Sequence, residues 1–180
     1  MEAYKRGDYA RTIEAWRPLA ERGDTLVQTN LGVLYGKGQG VEKDDEMAVH
    51  WFKKAADQGF DIAQFNLGVR YHEGLGVEQD DRQAVKWFRK AAEQGHVEAK
   101  YNLGVMYMNG LGVPKDYTQS MKWFVMAAER GVADAQYNIG LMFKNGWGVE
   151  RDEKQAEKWL SQAAEQGNSL ASNALLELRK

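Results

Sequence analysis

The sequence predicts an all-α chain of stacked helix pairs, and two features of its punctuation carry that prediction. Gly32, Gly68, Gly104 and Gly140 lie 36 residues apart, and so do three further rows, Gly38 to Gly146, Gly40 to Gly148 and Gly59 to Gly167. Trp51, Trp87, Trp123 and Trp159 keep the same step, with Trp16 one residue short of it. With 19 glycines and 2 prolines in 180 residues, scattered glycine would read as loop, but glycine on a fixed period marks the ends of a repeated unit. A unit of this size cannot bury its apolar face alone, so the units must stack.

Each unit opens with a helix, A. In Ala63-Gln64-Phe65-Asn66-Leu67-Gly68-Val69-Arg70-Tyr71, the residues Ala63, Leu67, Gly68 and Tyr71 fall on one stripe at helical spacing. Gly74 ends that helix, and the link from Leu75 to Gln79 is too short and too glycine-rich to be a strand pair. Asp80 then stands where an N-cap belongs, with Gln83 three residues on, as Gln119 follows Asp116 and Gln155 follows Asp152. Helix B follows, with Ala84, Trp87, Phe88, Ala91 and Ala92 as its inner stripe and Gly95 as its stop. Outer positions such as Lys86, Lys90, Lys122, Glu157 and Lys158 are charged and vary between units, the pattern of solvated positions. The spacing predicts helices over 8–22, 24–37, 44–58, 60–73, 80–94, 96–109, 116–130, 132–145, 152–166 and 168–179.

The pattern Leu67-Gly68, Tyr71, Gly74-Leu75-Gly76-Val77, Asp80, Ala84, Trp87, Ala91-Ala92, Gly95, Ala99 resembles the Sel-one-like repeat, a relative of the tetratricopeptide repeat with a longer link between helices A and B. It recurs from Leu31, Leu67, Leu103 and Ile139. The resemblance implies a right-handed α-α superhelix of about four full repeats, 24–59, 60–95, 96–131 and 132–167, in one solenoid domain. A partial unit, 1–23, precedes them and a capping helix, 168–180, follows. Tyr4 to Tyr9 resembles the shorter tetratricopeptide turn, so the chain is expected to start inside a helix A, after a removed leader or in a cut solenoid. In the last helix Ala174 and Leu176 replace the expected Asn and Gly, which suits a cap that receives no further helix.

Composition excludes several classes. At 43% hydrophobic and 28% charged the chain can bury a core, and a formal charge of −2 gives no broad attraction to phosphate, so a nucleic-acid partner is not expected. Without cysteine there is no disulfide, thiolate site or cysteine nucleophile. No apolar run reaches the roughly 18 residues of a membrane helix, so no membrane insertion is expected. His50, His72 and His96 make no ligand spacing and read as solvated surface residues. Gly74-Leu75-Gly76 follows a helix and lacks the Gly-Lys-Ser/Thr of a phosphate loop. Asp44, Asp80, Asp116 and Asp152 recur as caps, and the tryptophans share the core stripe. No catalytic residue, metal site or cofactor is expected.

In tetratricopeptide relatives the A helices line the concave side, and the resemblance carries that orientation onto this chain. The groove row then holds Asn30, Asn66, Asn102 and Asn138, with Thr29, Phe65, Tyr101 and Tyr137 beside it and Val33, Val69, Val105 and Leu141 one turn later. Asn is disfavoured inside helices, so four copies need a reason: hydrogen bonds between helices that set the stack, or amide bonds to the backbone of a bound peptide. The aromatic row lies outside the inner stripe, and amphipathic aromatics at a groove suit recognition. The leading expectation is a monomeric, non-enzymatic bacterial scaffold or adaptor that binds a protein or peptide in this groove. One alternative is a β-lactam-binding or hydrolysing enzyme, as suggested for relatives that pair cysteines in each repeat. Another is a structural fragment of a longer solenoid. The expected location is the cell envelope (periplasm) or outside the cell rather than the cytoplasm.

Overall fold

The computed structural model describes residues 2–178, and every regular element among them is helical. The chain divides into two compact units, residues 1–96 and 97–180. Unit 1 contains α1 (Glu2–Lys5), α2 (Tyr9–Glu21), α3 (Thr25–Lys37), α4 (Asp45–Asp57), α5 (Asp61–Glu73) and α6 (Asp81–Glu93). Unit 2 contains α7 (Val97–Asn109), α8 (Tyr117–Ala128), α9 (Ala133–Asn145), α10 (Glu153–Glu165) and α11 (Ser169–Leu178). Each A helix packs on its own B helix: α3 on α4, α5 on α6, α7 on α8 and α9 on α10. The ten expected helices are found with no end shifted by more than two residues. The short α1 lies ahead of a turn at Gly7, whose φ is +75°.

The boundaries follow from capping. Asp44, Asp80, Asp116 and Asp152 accept hydrogen bonds from the amides of Met47, Gln83, Gln119 and Gln155 at 2.8–3.1 Å, which satisfies one orphan donor in each B helix. The same aspartates tie the link back to helix A, because the amides of Asp44, Asp80, Asp116 and Asp152 donate to the carbonyls of Tyr35, Tyr71, Tyr107 and Phe143. Gly76 explains the row from Gly40 to Gly148. Its φ is +73°, and a side chain there would strike the backbone of Asp45 and Glu46.

The core of three of the four full repeats is a ring pressed onto a glycine. An added Cβ on Gly68 would lie 2.7 Å from the Phe88 ring, on Gly104 2.5 Å from the Phe124 ring, and on Gly32 2.7 Å from the Phe52 ring. In the last full repeat Leu160 takes that place against Gly140. Phe52, Phe88, Phe124 and Leu160 are all essentially fully buried, so this glycine sets how closely helix A approaches helix B. Where other repeats have alanine at the start of helix B, Ser120 is also buried and donates to the Gly104 carbonyl at 2.8 Å.

Two expectations are corrected here. Trp16, Trp51 and Trp87 are buried as core residues, but Trp123 and Trp159 in unit 2 are only half-buried. Of the three histidines, only His50 is exposed. His72 is half-buried with Nδ1 2.6 Å from an Asp81 carboxylate oxygen, and His96 stacks on Phe65 with ring centroids 4.5 Å apart. Leu176 is 63% exposed, which fits a cap face, while residues 179–180 of the capping segment lie outside the described residues.

Candidate functional site

The A-helix residues named above share positions but not roles. In unit 1, Thr29 is buried and its hydroxyl donates to the Thr25 carbonyl, while Asn30, Val33 and Val69 are half-buried. Asn66 donates its amide to the carbonyl of Ile62 at 2.8 Å, one turn back on its own helix. Phe65 is half-buried between two rings, Phe88 at 5.8 Å and His96 at 4.5 Å. In unit 2, Asn102 repeats the Asn66 arrangement, donating to Glu98 at 2.9 Å. Tyr101 lies 5.8 Å from Phe124 between centroids, and Tyr137 packs on the cluster around Leu160. Val105 and Leu141 are half-buried beside them.

The aromatic row is therefore not separate from the core. Each ring rests on the helix-B residue that fills the glycine contact, and at Phe65 the stacked His96 covers a second face, so these rings offer the surface only what packing leaves open. The asparagine row also divides. Asn66 and Asn102 are fixed by their own helices, whereas Asn138 is 9% exposed and its amide lies near the Tyr101 hydroxyl. Beside this pair, Asp134 accepts a 2.8 Å bond from Asn168, the residue whose side chain also caps α11. Burial of its ring, and then the nearby Asp134 carboxylate, push the Tyr101 phenol above its ordinary value of 10.0.

A second row escaped the sequence reading. Gln28, Gln64 and Gln136 are buried, and each donates its amide to a carbonyl of the preceding B helix, Ala20, Ala56 or Ala128. Each also accepts from a glutamine 30 residues on: Gln58 at 2.9 Å, Gln94 at 2.8 Å and Gln166 at 2.7 Å. The available signal was the common step of 36 in both members of the pair, interrupted once by Lys100 and Arg130.

Among the described residues no group of three or more His, Asp or Glu side chains is arranged to hold a metal ion, and no helix is long and apolar enough to cross a membrane. The Sel1 repeat family model matches residues 26–60, 61–96, 97–132 and 133–168. The chain belongs to the Sel1 repeat family. Its matched Sel1 repeats begin one or two residues later than the units drawn from the glycine period. A Sel1 repeat protein from Oxalobacter formigenes is 39% identical, over 98% of this chain and 72% of that one, with a TM-score of 0.91. A protective antigen present in uropathogenic Escherichia coli strains, with the same Sel1-like fold, is 45% identical over 91% of this chain, with a TM-score of 0.88. This chain spans 35% of that antigen's length. The cysteine-rich protein B of Helicobacter pylori, 23% identical over 71% of this chain and 92% of its own, has a TM-score of 0.56 and shares the fold alone. No curated protein matches the chain.

Proposed function

We propose that this Sel1 repeat chain is a non-enzymatic protein-interaction scaffold whose A-helix face takes a peptide or a partner helix. The observation that carries the reading is the fixed, half-open arrangement of Tyr101, Asn102 and Val105 in unit 2. Tyr101 rests on Phe124 and is half-buried, and Asn102 is oriented by its bond to Glu98. A partner meets these groups already ordered, so little rotamer entropy is lost on binding. Phe65, Asn66 and Val69 offer unit 1 a similar strip, with Asn66 held in the same way. The β-lactam reading draws on relatives whose cysteines are paired, and this chain has none.

The test is a partner isolated on the full chain and then titrated against variants. Asn102→Ala and Tyr101→Ala are each expected to weaken binding by on the order of 1–2 kcal/mol, with Asn102→Ala leaving the melting temperature nearly unchanged. Lys90→Ala, on helix B, is expected to leave affinity unchanged. A partner that ignores Asn102→Ala and Tyr101→Ala, or a turnover activity abolished by a single substitution, overturns the proposal.

A further inference from the structure

The interrupted glutamine row marks a second kind of site. In three repeats the helix-A glutamine and the glutamine ending helix B meet through neutral amides at 2.7–2.9 Å. In the remaining full repeat, on α7 and after α8 within unit 2, Lys100 and Arg130 stand at those two positions. The backbone is conserved there, since Arg130 donates its amide to the Ala127 carbonyl as Gln58 does to Ala55 and Gln94 does to Ala91. Lys100 is half-buried and Arg130 exposed. An amide offers both a donor and an acceptor, so two glutamines satisfy one another. A lysine and an arginine carry eight donors and no acceptor between them, so they can only repel. Glu98 and Glu129 flank the two positions and are both exposed, and among the described residues neither Lys100 nor Arg130 forms an ion pair or a side-chain hydrogen bond.

We infer that Lys100 and Arg130 form a binding site for an oxyanion, a phosphate or carboxylate group, which supplies the acceptors that glutamine supplies in the sister repeats. A guanidinium fork matches two oxygens of such a group, and the ammonium of the half-buried Lys100 can add a charge-assisted bond. The site stands apart from the A-helix strip, since its partners lie where helix A meets the end of helix B.

The experiment uses the full chain and the double variant Lys100→Gln/Arg130→Gln, which restores the amide pair that the fold already uses three times and so is expected to fold. Inorganic phosphate and acetate are titrated in separate arms against sodium chloride of equal ionic strength, with amide chemical shifts and melting temperature as readouts. The expected result is saturable shifts at residues 100 and 130 and a melting-temperature rise beyond the chloride control. In the double variant the affinity falls by about tenfold or more and the specific rise disappears. In low salt without added anion the double variant is expected to melt at or above the parent temperature. A response to both anions supports a site that reads carboxylates as well, and a response to phosphate alone supports a phosphate site. Equal behaviour of the parent in phosphate, acetate and chloride, or an unchanged phosphate response in the double variant, overturns the inference.

Discussion

Unit 1 and unit 2 are built from the same repeat, yet they finish their tryptophans differently. In unit 1, Trp51 and Trp87 are each 5% exposed, and the ammonium groups of Lys54 and Lys90 lie 5.0 and 4.2 Å from their ring centroids. In unit 2 the residues at the same place are Met126 and Gln162, and Trp123 and Trp159 are half-buried. Lysine three residues after tryptophan therefore belongs to the packing of unit 1: its stem lies along the ring and its charge over the ring face. Burial of the repeated tryptophan depends on what covers it, whereas burial of the phenylalanine behind it does not.

The largest expected effect falls where the two units agree. Phe88→Ala in unit 1 and Phe124→Ala in unit 2 each leave a void against a glycine that has no side chain to fill it, and each is expected to cost about 3–5 kcal/mol in denaturant unfolding. A difference between them of more than about 1 kcal/mol would mean that the glycine contact is not the common keystone.

Next comes the pair in which the units differ. Trp87→Ala is expected to cost about 3–5 kcal/mol, and Trp123→Ala about half as much, because part of the Trp123 surface already faces water. Equal losses would show that the lysine cover contributes nothing to the burial of Trp87.

A smaller loss is expected at the amide clamp. Gln64→Ala removes the donor to the Ala56 carbonyl and the acceptor of Gln94, and leaving the buried Ala56 carbonyl unpaired is expected to cost about 1–3 kcal/mol. Gln94→Ala leaves the carbonyl bond intact and is expected to cost less, which separates the buried half of the clamp from the exposed one. The order would reverse if the helix-end glutamine were the anchor.

These residues also show what the sequence made legible. The glycine period located the helix ends, and the aspartate caps and the tight A-to-B approach at Gly68 and Gly104 followed from residue chemistry at fixed spacing. Such features are local, or they repeat in every unit. The glutamine clamp was missed because its members are 30 residues apart and each looks like an ordinary solvated helix residue until the stack buries Gln28, Gln64 and Gln136. The asparagine row was visible as a row, but the division between Asn66 and Asn102, held by their own helices, and the buried Asn138 beside Tyr101 depends on which residue the neighbouring helix presents. Phe65 and Tyr101 looked free of the core because the inner stripe was already full, yet the Phe65 ring sits between Phe88 and His96, and the Tyr101 ring rests on Phe124 while staying half-buried.

The smallest effect tests the lysine cover directly, by moving it. Lys90→Ala removes an ammonium 4.2 Å from the Trp87 centroid together with the methylenes that carry it, and is expected to cost roughly 0.5–1 kcal/mol, contrary to its reading as a solvated charge. Met126→Lys places the unit 1 arrangement on Trp123 in unit 2. Met126 is 47% exposed, so the change removes little buried apolar surface and gives Trp123 a cation over its ring. A gain of roughly 0.5 kcal/mol is expected, with a blue shift of the tryptophan emission as the indole loses water contact. Salt should leave most of that gain in place, because the ring quadrupole and the lysine stem act at contact distance, well within the screening length of about 10 Å at 0.1 M. If Met126→Lys is neutral while Lys90→Ala is costly, the cover requires the surroundings of Trp87 as well as the lysine. If both are neutral, the difference in tryptophan burial between the units arises from the helices themselves.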